Sequence, residues 1–113
     1  MRTNRNELFL GPEQITRSPI HPGIIFGEEV LPELTRPPAR RTVGEISKML
    51  GTSRQTLFRL TRGEIAMSAE MAARIGKLTG MGARIWLSIQ ADYDAFATTK
   101  RMHRELKRIP TLA

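Results

Sequence analysis

VGEISKMLGTSRQTLFRLTRG, residues 43–63, decides how the rest of this chain is read. Val43, Ile46, Met49 and Leu50 recur at helical spacing and predict one inward face. Gly51 interrupts that segment. Ser53 then offers a hydroxyl that can accept an otherwise unpaired backbone N–H in the first turn of a second helix. In that second helix Leu57 and Leu60 turn toward the core, and Arg54, Gln55, Arg59 and Arg62 line the polar side. A helix, a tight glycine turn and a capped helix of this size make a helix-turn-helix. The long donors on its second helix suit phosphate and base-edge contacts in a major groove.

Moving toward the C-terminus, Glu64-Ile65-Ala66-Met67 is a short connector. Ser68 opens a third segment in which Met71, Ala72, Ile75 and Leu78 form the inward face. Glu70 lies two residues after Ser68 rather than three, so the strict capping box is missing there. Gly80 ends the segment, since glycine tolerates the left-handed conformation past a helix end. A last helix is expected from about Ala83 to Thr98. Trp86, Ile89, Tyr93 and Phe96 recur along it at three- and four-residue spacing. That stripe is first of all core. Part of it, at Trp86, Tyr93 and Phe96, is also the best candidate for a dimer or partner contact, because aromatic side chains favour buried interfaces. Residues 99–113 form a basic tail that could extend the helix.

Toward the N-terminus, residues 34–42 read LTRPPARRT. Pro37-Pro38 is held extended by its rings, and Arg36, Arg40 and Arg41 make the loop basic. It reads as a solvated loop or as one that touches phosphate. His21-Pro22-Gly23 is a turn that launches a helix bearing Ile24, Ile25, Val30 and Leu31, with Glu28 and Glu29 in solvent. Pro32 permits only a short continuation. Residues 1–20 are expected to be a flexible arm whose one apolar cluster is Leu8-Phe9-Leu10. It is either a disordered leader or an arm that packs on a partner chain, and Arg2, Arg5 and Arg17 could reach a phosphate backbone.

Composition narrows the function class. Eighteen basic residues face eleven acidic ones, a net charge of +7, and the isoelectric point is near 11.0. Residues 36–84 hold ten basic and three acidic residues, so this segment alone carries the whole chain's excess. Nucleic acid is the leading partner for such a balance, and neutralising several phosphates would make binding steeply salt-dependent. There is no cysteine, which removes disulfides and thiolate chemistry. No apolar run approaches the roughly 20 residues that span a bilayer, and the N-terminus lacks a signal-peptide core; a cytoplasmic protein with no membrane contact is expected. His21 and His103 have no metal-ligand spacing, and His21 reads as a turn or cap residue. Asp92 and Asp94 do not share a helical face. With no strand pattern and no glycine-rich phosphate loop, neither an enzyme nor a cofactor is expected.

The expected fold is all-α, a compact bundle of about five helices. The DNA-reading candidates are Ser53, Arg54, Gln55, Thr56, Phe58, Arg59 and Arg62, with Arg40 and Arg41 on the loop. Two readings stand for Phe58, a thymine methyl or a dimer contact. Taken together, HPGIIFGEEVLPEL, TSRQTLFRLTRGEIAMSAEMAARIGKLTG and IWLSIQADYDAF resemble the HigA-like antitoxins, a branch of the phage-repressor-like Xre helix-turn-helix family. RELKRI is a weaker likeness. The resemblance covers roughly residues 21–98, the expected DNA-binding domain. It implies a lambda-repressor-like fold and a homodimer on double-stranded operator DNA. It also implies a small ribosome-dependent ribonuclease toxin as partner, which the antitoxin neutralises while repressing the shared operon. Some relatives are solitary repressors, and that is the alternative. The resemblance leaves the toxin-facing surface open among the Leu8-Phe9-Leu10 arm, the first helix and the last. Three departures stand out: LTRPPARRT is about five residues longer than the usual link, Ser47 replaces a common alanine, and Phe58 replaces a residue that is often serine.

Overall fold

The structure is a computed structural model and describes residues 18–112. The expectations placed on Arg2, Arg5, Arg17 and Leu8-Phe9-Leu10 lie outside those residues. Among the described residues the structure is all-helical, with no strand. Helix α1 covers residues 22–35 in three contiguous segments, Pro22–Ile25, Phe26–Val30 and Leu31–Thr35. It is followed by α2 (Val43–Met49), α3 (Arg54–Thr61), α4 (Ala69–Thr79), α5 (Ala83–Arg101) and the one-turn α6 (His103–Leu106). The chain divides into two units. One is Ile20–Gln90, and the other joins residues 91–112 to Ser18 and Pro19.

Helix α1 begins as the sequence predicts. His21 Nδ1 accepts the Gly23 N–H at 2.9 Å, so His21 caps the helix and Pro22 fills a position where its missing N–H is not needed. The helix then survives Pro32 by widening. Residues Phe26–Val30 form a π-helical turn in which the Leu31 N–H reaches the Phe26 carbonyl. The wider turn accommodates a proline whose ring would crowd the carbonyl four residues back. The same widening turns the helix face, so an α-helical count from Ile24 to Leu31 misses the buried residue. That residue is Phe26, at 0 % exposure.

The Ile20–Gln90 unit encloses one core of Phe26, Ile46, Leu50, Leu57, Leu60, Met67, Ala72, Ile75 and Trp86. Trp86 stands edge-on to Phe26, with ring centroids 6.2 Å apart, the arrangement that aromatic quadrupoles favour. Leu57 and Leu60 are buried as expected. Met49 is not, at 50 % exposure. The buried arc of α2 runs from Ile46 through Leu50 to Ser47, which leaves Met49 on the far margin. Ser47 satisfies its buried hydroxyl by donating to the Gly44 carbonyl at 2.9 Å, so a small polar residue fits where helices approach closely. Gln90 accepts the Met67 N–H at 2.8 Å and thereby ties the connector after α3 to α5.

Helix α2 has a start signal that apolar spacing alone does not reveal. Thr42 accepts the Glu45 N–H at 3.0 Å, and Glu45 accepts the Thr42 N–H at 2.8 Å, a full capping box. The Thr42 backbone N–H holds the Glu45 carboxyl below the ordinary glutamate range against an opposing desolvation, helped by the Thr42 hydroxyl and the Arg41 charge. A carboxylate with a lowered folded pKa contributes stability above its ordinary pKa and loses it as pH falls through the lowered value. Glutamine keeps an acceptor for Thr42 but cannot titrate. Between about pH 5 and pH 3, Glu45→Gln should therefore lose melting temperature less steeply than the wild type. Parallel melting curves across that range would show that the box does not set the acid limb.

Candidate nucleic-acid interface

The turn between α2 and α3 is built by backbone geometry. Leu50 ends α2, Gly51 takes the left-handed conformation at φ +67°, and the Thr52 N–H donates to the Ser47 carbonyl at 2.9 Å. Glycine is the residue that accepts this φ without a Cβ penalty. Ser53 then caps α3 by accepting the Thr56 N–H at 3.0 Å, and its own hydroxyl donates to Thr56 Oγ1 at 3.0 Å. Ser53 and Thr56 are thus joined at the start of α3, with their hydroxyls already engaged by one another.

At 3.6 residues per turn, residues 54, 55, 58, 59 and 62 occupy an arc of about 140°, opposite the buried Leu57 and Leu60. Arg54, Gln55, Phe58, Arg59 and Arg62 are all exposed. The Arg54 stem lies over the first turn of α2, its Cδ 3.6 Å from where a Cβ on Gly44 would stand. Arg59 and Arg62 converge on one carboxylate. Arg62 Nε meets Glu64 Oε2 at 2.7 Å and Arg59 Nε lies 3.8 Å from Glu64 Oε1. The Arg62 hydrogen bond lowers the Glu64 pKa, and the same bond raises that of Arg62. Sequence spacing did not single out Glu64, because its partners lie five and two residues back across the Gly63 turn, at φ +73°.

Arg40 and Arg41 are exposed on the link before α2. This link contains a cis Pro37-Pro38 peptide, and Arg40 sits at φ +50°. Arg41 is near enough to Glu45 to lower its pKa. Among the described residues no ion pair engages Arg54 or Arg40. The guanidinium of Arg74 on α4 lies beside the Gly51 turn, 3.8 Å from a Cβ placed there, a cation next to the motif that apolar spacing did not nominate.

The aromatic stripe on α5 separates into two roles. Trp86 is 1 % exposed and belongs to the chain's own core. The expectation that it supports a dimer or partner contact is corrected, because a side chain enclosed by α1 and its neighbours presents no surface to a second chain. Tyr93 and Phe96 are half-buried and line a shallow groove with Pro19, Ala97 and Lys100. Lys100 Nζ stands 5.9 Å from the Phe96 ring centroid.

No protein-family model matches the chain. The uncharacterized HTH-type transcriptional regulator YbaQ of Escherichia coli is 30% identical over 103 residues, covering 89% of this chain and 87% of the relative. The Pseudomonas aeruginosa antitoxin HigA, solved with the higBA promoter, superposes at TM-score 0.73 with 26% identity, over 84% of this chain and 99% of HigA. This chain belongs to the HigA-like branch of the Xre helix-turn-helix family. Antitoxin GraA gives a similar match, at TM-score 0.72 and 25% identity over 85% of this chain and 99% of that one. Within the matched stretch, Gln90 follows the Trp86-Leu87 pair and is the acceptor that fixes Met67. HigA-like proteins are regulators rather than enzymes. Among the described residues no group of acidic and histidine side chains could hold a metal, and no helix is long and apolar enough to cross a membrane.

Proposed function

We propose that this chain is the antitoxin of a two-gene module. It binds double-stranded operator DNA as a homodimer to repress its own operon, and it neutralises a small ribosome-dependent mRNA-cleaving toxin in the cytoplasm. The observation that carries the DNA-binding part is the exposed arc of Arg54, Gln55, Phe58, Arg59 and Arg62 on a capped helix of a helix-turn-helix. Arg54 and Gln55 occupy the first turn, where a recognition helix meets base edges. Arginine suits guanine and glutamine suits adenine. Arg40, Arg41 and the Ser53–Thr56 pair flank that edge as phosphate contacts. Two recognition helices about one DNA turn apart would read an inverted repeat, and the Tyr93–Phe96 groove is the surface we assign to pairing of two chains. The toxin part is supported by similarity to HigA and GraA, both antitoxins. The solitary-repressor alternative is supported by YbaQ, described as a transcriptional regulator.

The test is quantitative binding of alanine variants to the chain's own upstream DNA and to a scrambled duplex across a salt series. Arg54→Ala and Gln55→Ala should each cost roughly 1–3 kcal/mol on the true operator and relax one base position. Arg40→Ala and Arg41→Ala should weaken both duplexes alike and lower the salt slope by about one unit per contact. If Arg54→Ala and Gln55→Ala both retain wild-type affinity and preference, the recognition face is wrongly assigned. Co-expression with the neighbouring reading frame separates antitoxin from solitary repressor. An antitoxin rescues growth that the neighbour alone arrests, and a solitary repressor does not.

A further inference from the structure

We infer that Phe58 is a specificity-determining residue that reads the C5-methyl group of a thymine in the major groove. This rests on the DNA-binding reading of α3 and adds a base identity to it. Phe58 is 42 % exposed, and a lone exposed phenyl ring needs no explanation by itself. Its position does. Within the arc it falls between Arg54 and Gln55 around the helix, and between Arg54 and Arg62 along it. It is the one side chain of the five that can neither donate nor accept a hydrogen bond. If this face enters the groove, a phenyl ring lies against base edges at the centre of the contact. A polar base edge covered by that ring loses its water and gains no partner, which is the costly case for a buried donor or acceptor. The major groove offers one apolar group on its base edges, the thymine methyl. Phe58 therefore favours thymine by apolar contact and disfavours the other bases by desolvation.

A second copy of the chain is a poorer occupant for the same ring. Apposing two such faces about Phe58 would set Arg54, Arg59 and Arg62 of one copy against the same three of the other. Among the described residues Glu64 is the one carboxylate paired with the arginines of this face, too little to offset that repulsion.

The experiment selects the tightest duplex from a random pool with the wild-type chain, then replaces each thymine singly by deoxyuridine, which removes only the methyl. At one thymine the wild type should lose roughly fourfold in affinity, the equivalent of one buried methyl-sized group. Phe58→Ala should bind the thymine and deoxyuridine duplexes equally, and Phe58→Leu should keep part of the difference. Melting of Phe58→Ala should match the wild type, because the ring lies outside the core. A wild type indifferent to every thymine replacement overturns the inference while leaving DNA binding intact, as does a Phe58→Ala variant with an undiminished methyl effect. A pool from which no duplex is enriched would instead remove the DNA-binding reading itself, and the inference with it.

Discussion

Gly23→Ala should destabilise this chain by about 3 kcal/mol or more, although alanine is ordinarily the better helix former. In an unobstructed helix the exchange stabilises by roughly 0.5–1 kcal/mol, because glycine loses more backbone freedom on folding. Contact reverses that sign here. A Cβ on Gly23 would stand 1.9 Å from the Leu60 carbonyl oxygen and 2.8 Å from its carbon. Both are backbone atoms of α3, so no side-chain rotation relieves the clash. The same Cβ would lie 3.1 Å from His21 Nδ1, the atom that caps α1. Relief requires α1 to withdraw or α3 to tilt, and either movement opens the core around Phe26. For a chain of this length, 3 kcal/mol lowers the melting temperature by roughly 10–15 °C. Gly80→Ala is the control. Gly80 lies at φ +76° with nothing within 4 Å of a Cβ, so only left-handed strain applies, about 1–2 kcal/mol. A Gly23→Ala variant that melts above Gly80→Ala would show that α1 and α3 are not in backbone contact.

That contact also explains why the opening HPG sequence matters to a distant helix. Leu60 sits near the C-terminal end of α3, the helix whose other face carries Arg59 and Arg62. Gly27 makes the same approach one turn on, where a Cβ would stand 2.8 Å from Cβ of Thr61. Two glycines on α1 thus let the back of the candidate recognition helix rest directly on its neighbour. The orientation of α3 is set by backbone packing as well as by the Gly51 turn.

What could be read in advance follows from how local each signal is. Ser53 and Gly51 act within one turn of the chain, so residue type alone announced the cap and the tight turn. The burial of Leu57 and Leu60 followed from α-helical period in a helix without distortion. Phe26 was missed because a π turn breaks that period, and the π turn answers a proline six residues later. Met49 was misplaced because apolar spacing gives a face but not its centre; the small polar Ser47, not Met49, completes the buried arc. Glu64 escaped notice because an ion pair across a glycine turn has no fixed spacing. The role of Gln90 depends on a connector 23 residues earlier, a relation no local pattern carries. Trp86 was nominated for an interface because large aromatics suit both cores and interfaces, and composition does not separate the two.

Trp86 provides the experiment that does separate them. Trp86→Ala removes a large side chain at 1 % exposure and should cost about 3–5 kcal/mol, with about 1 kcal/mol of that from the edge-on contact with Phe26. Domains of this kind hold only about 5–15 kcal/mol in total, so the variant should lose a large share of its stability. One opposing effect is specific to this site. The indole Nε1 is buried with no hydrogen-bond partner, and a buried unpaired donor carries a penalty of about 1–3 kcal/mol. Trp86→Phe removes that donor and keeps an aromatic ring against Phe26, so it should lose clearly less stability than the lost volume alone implies. Protein concentration then discriminates core from interface. A core residue lowers the melting temperature by the same amount at every concentration. An interface residue would leave a dilute, folded chain unchanged and alter only the mass of the assembled form. Sedimentation together with melting, for both variants over a hundredfold dilution, reads the two effects apart. A folded Trp86→Ala chain that had lost only its ability to pair would return Trp86 to the interface and leave the core centred on Phe26 without its largest member.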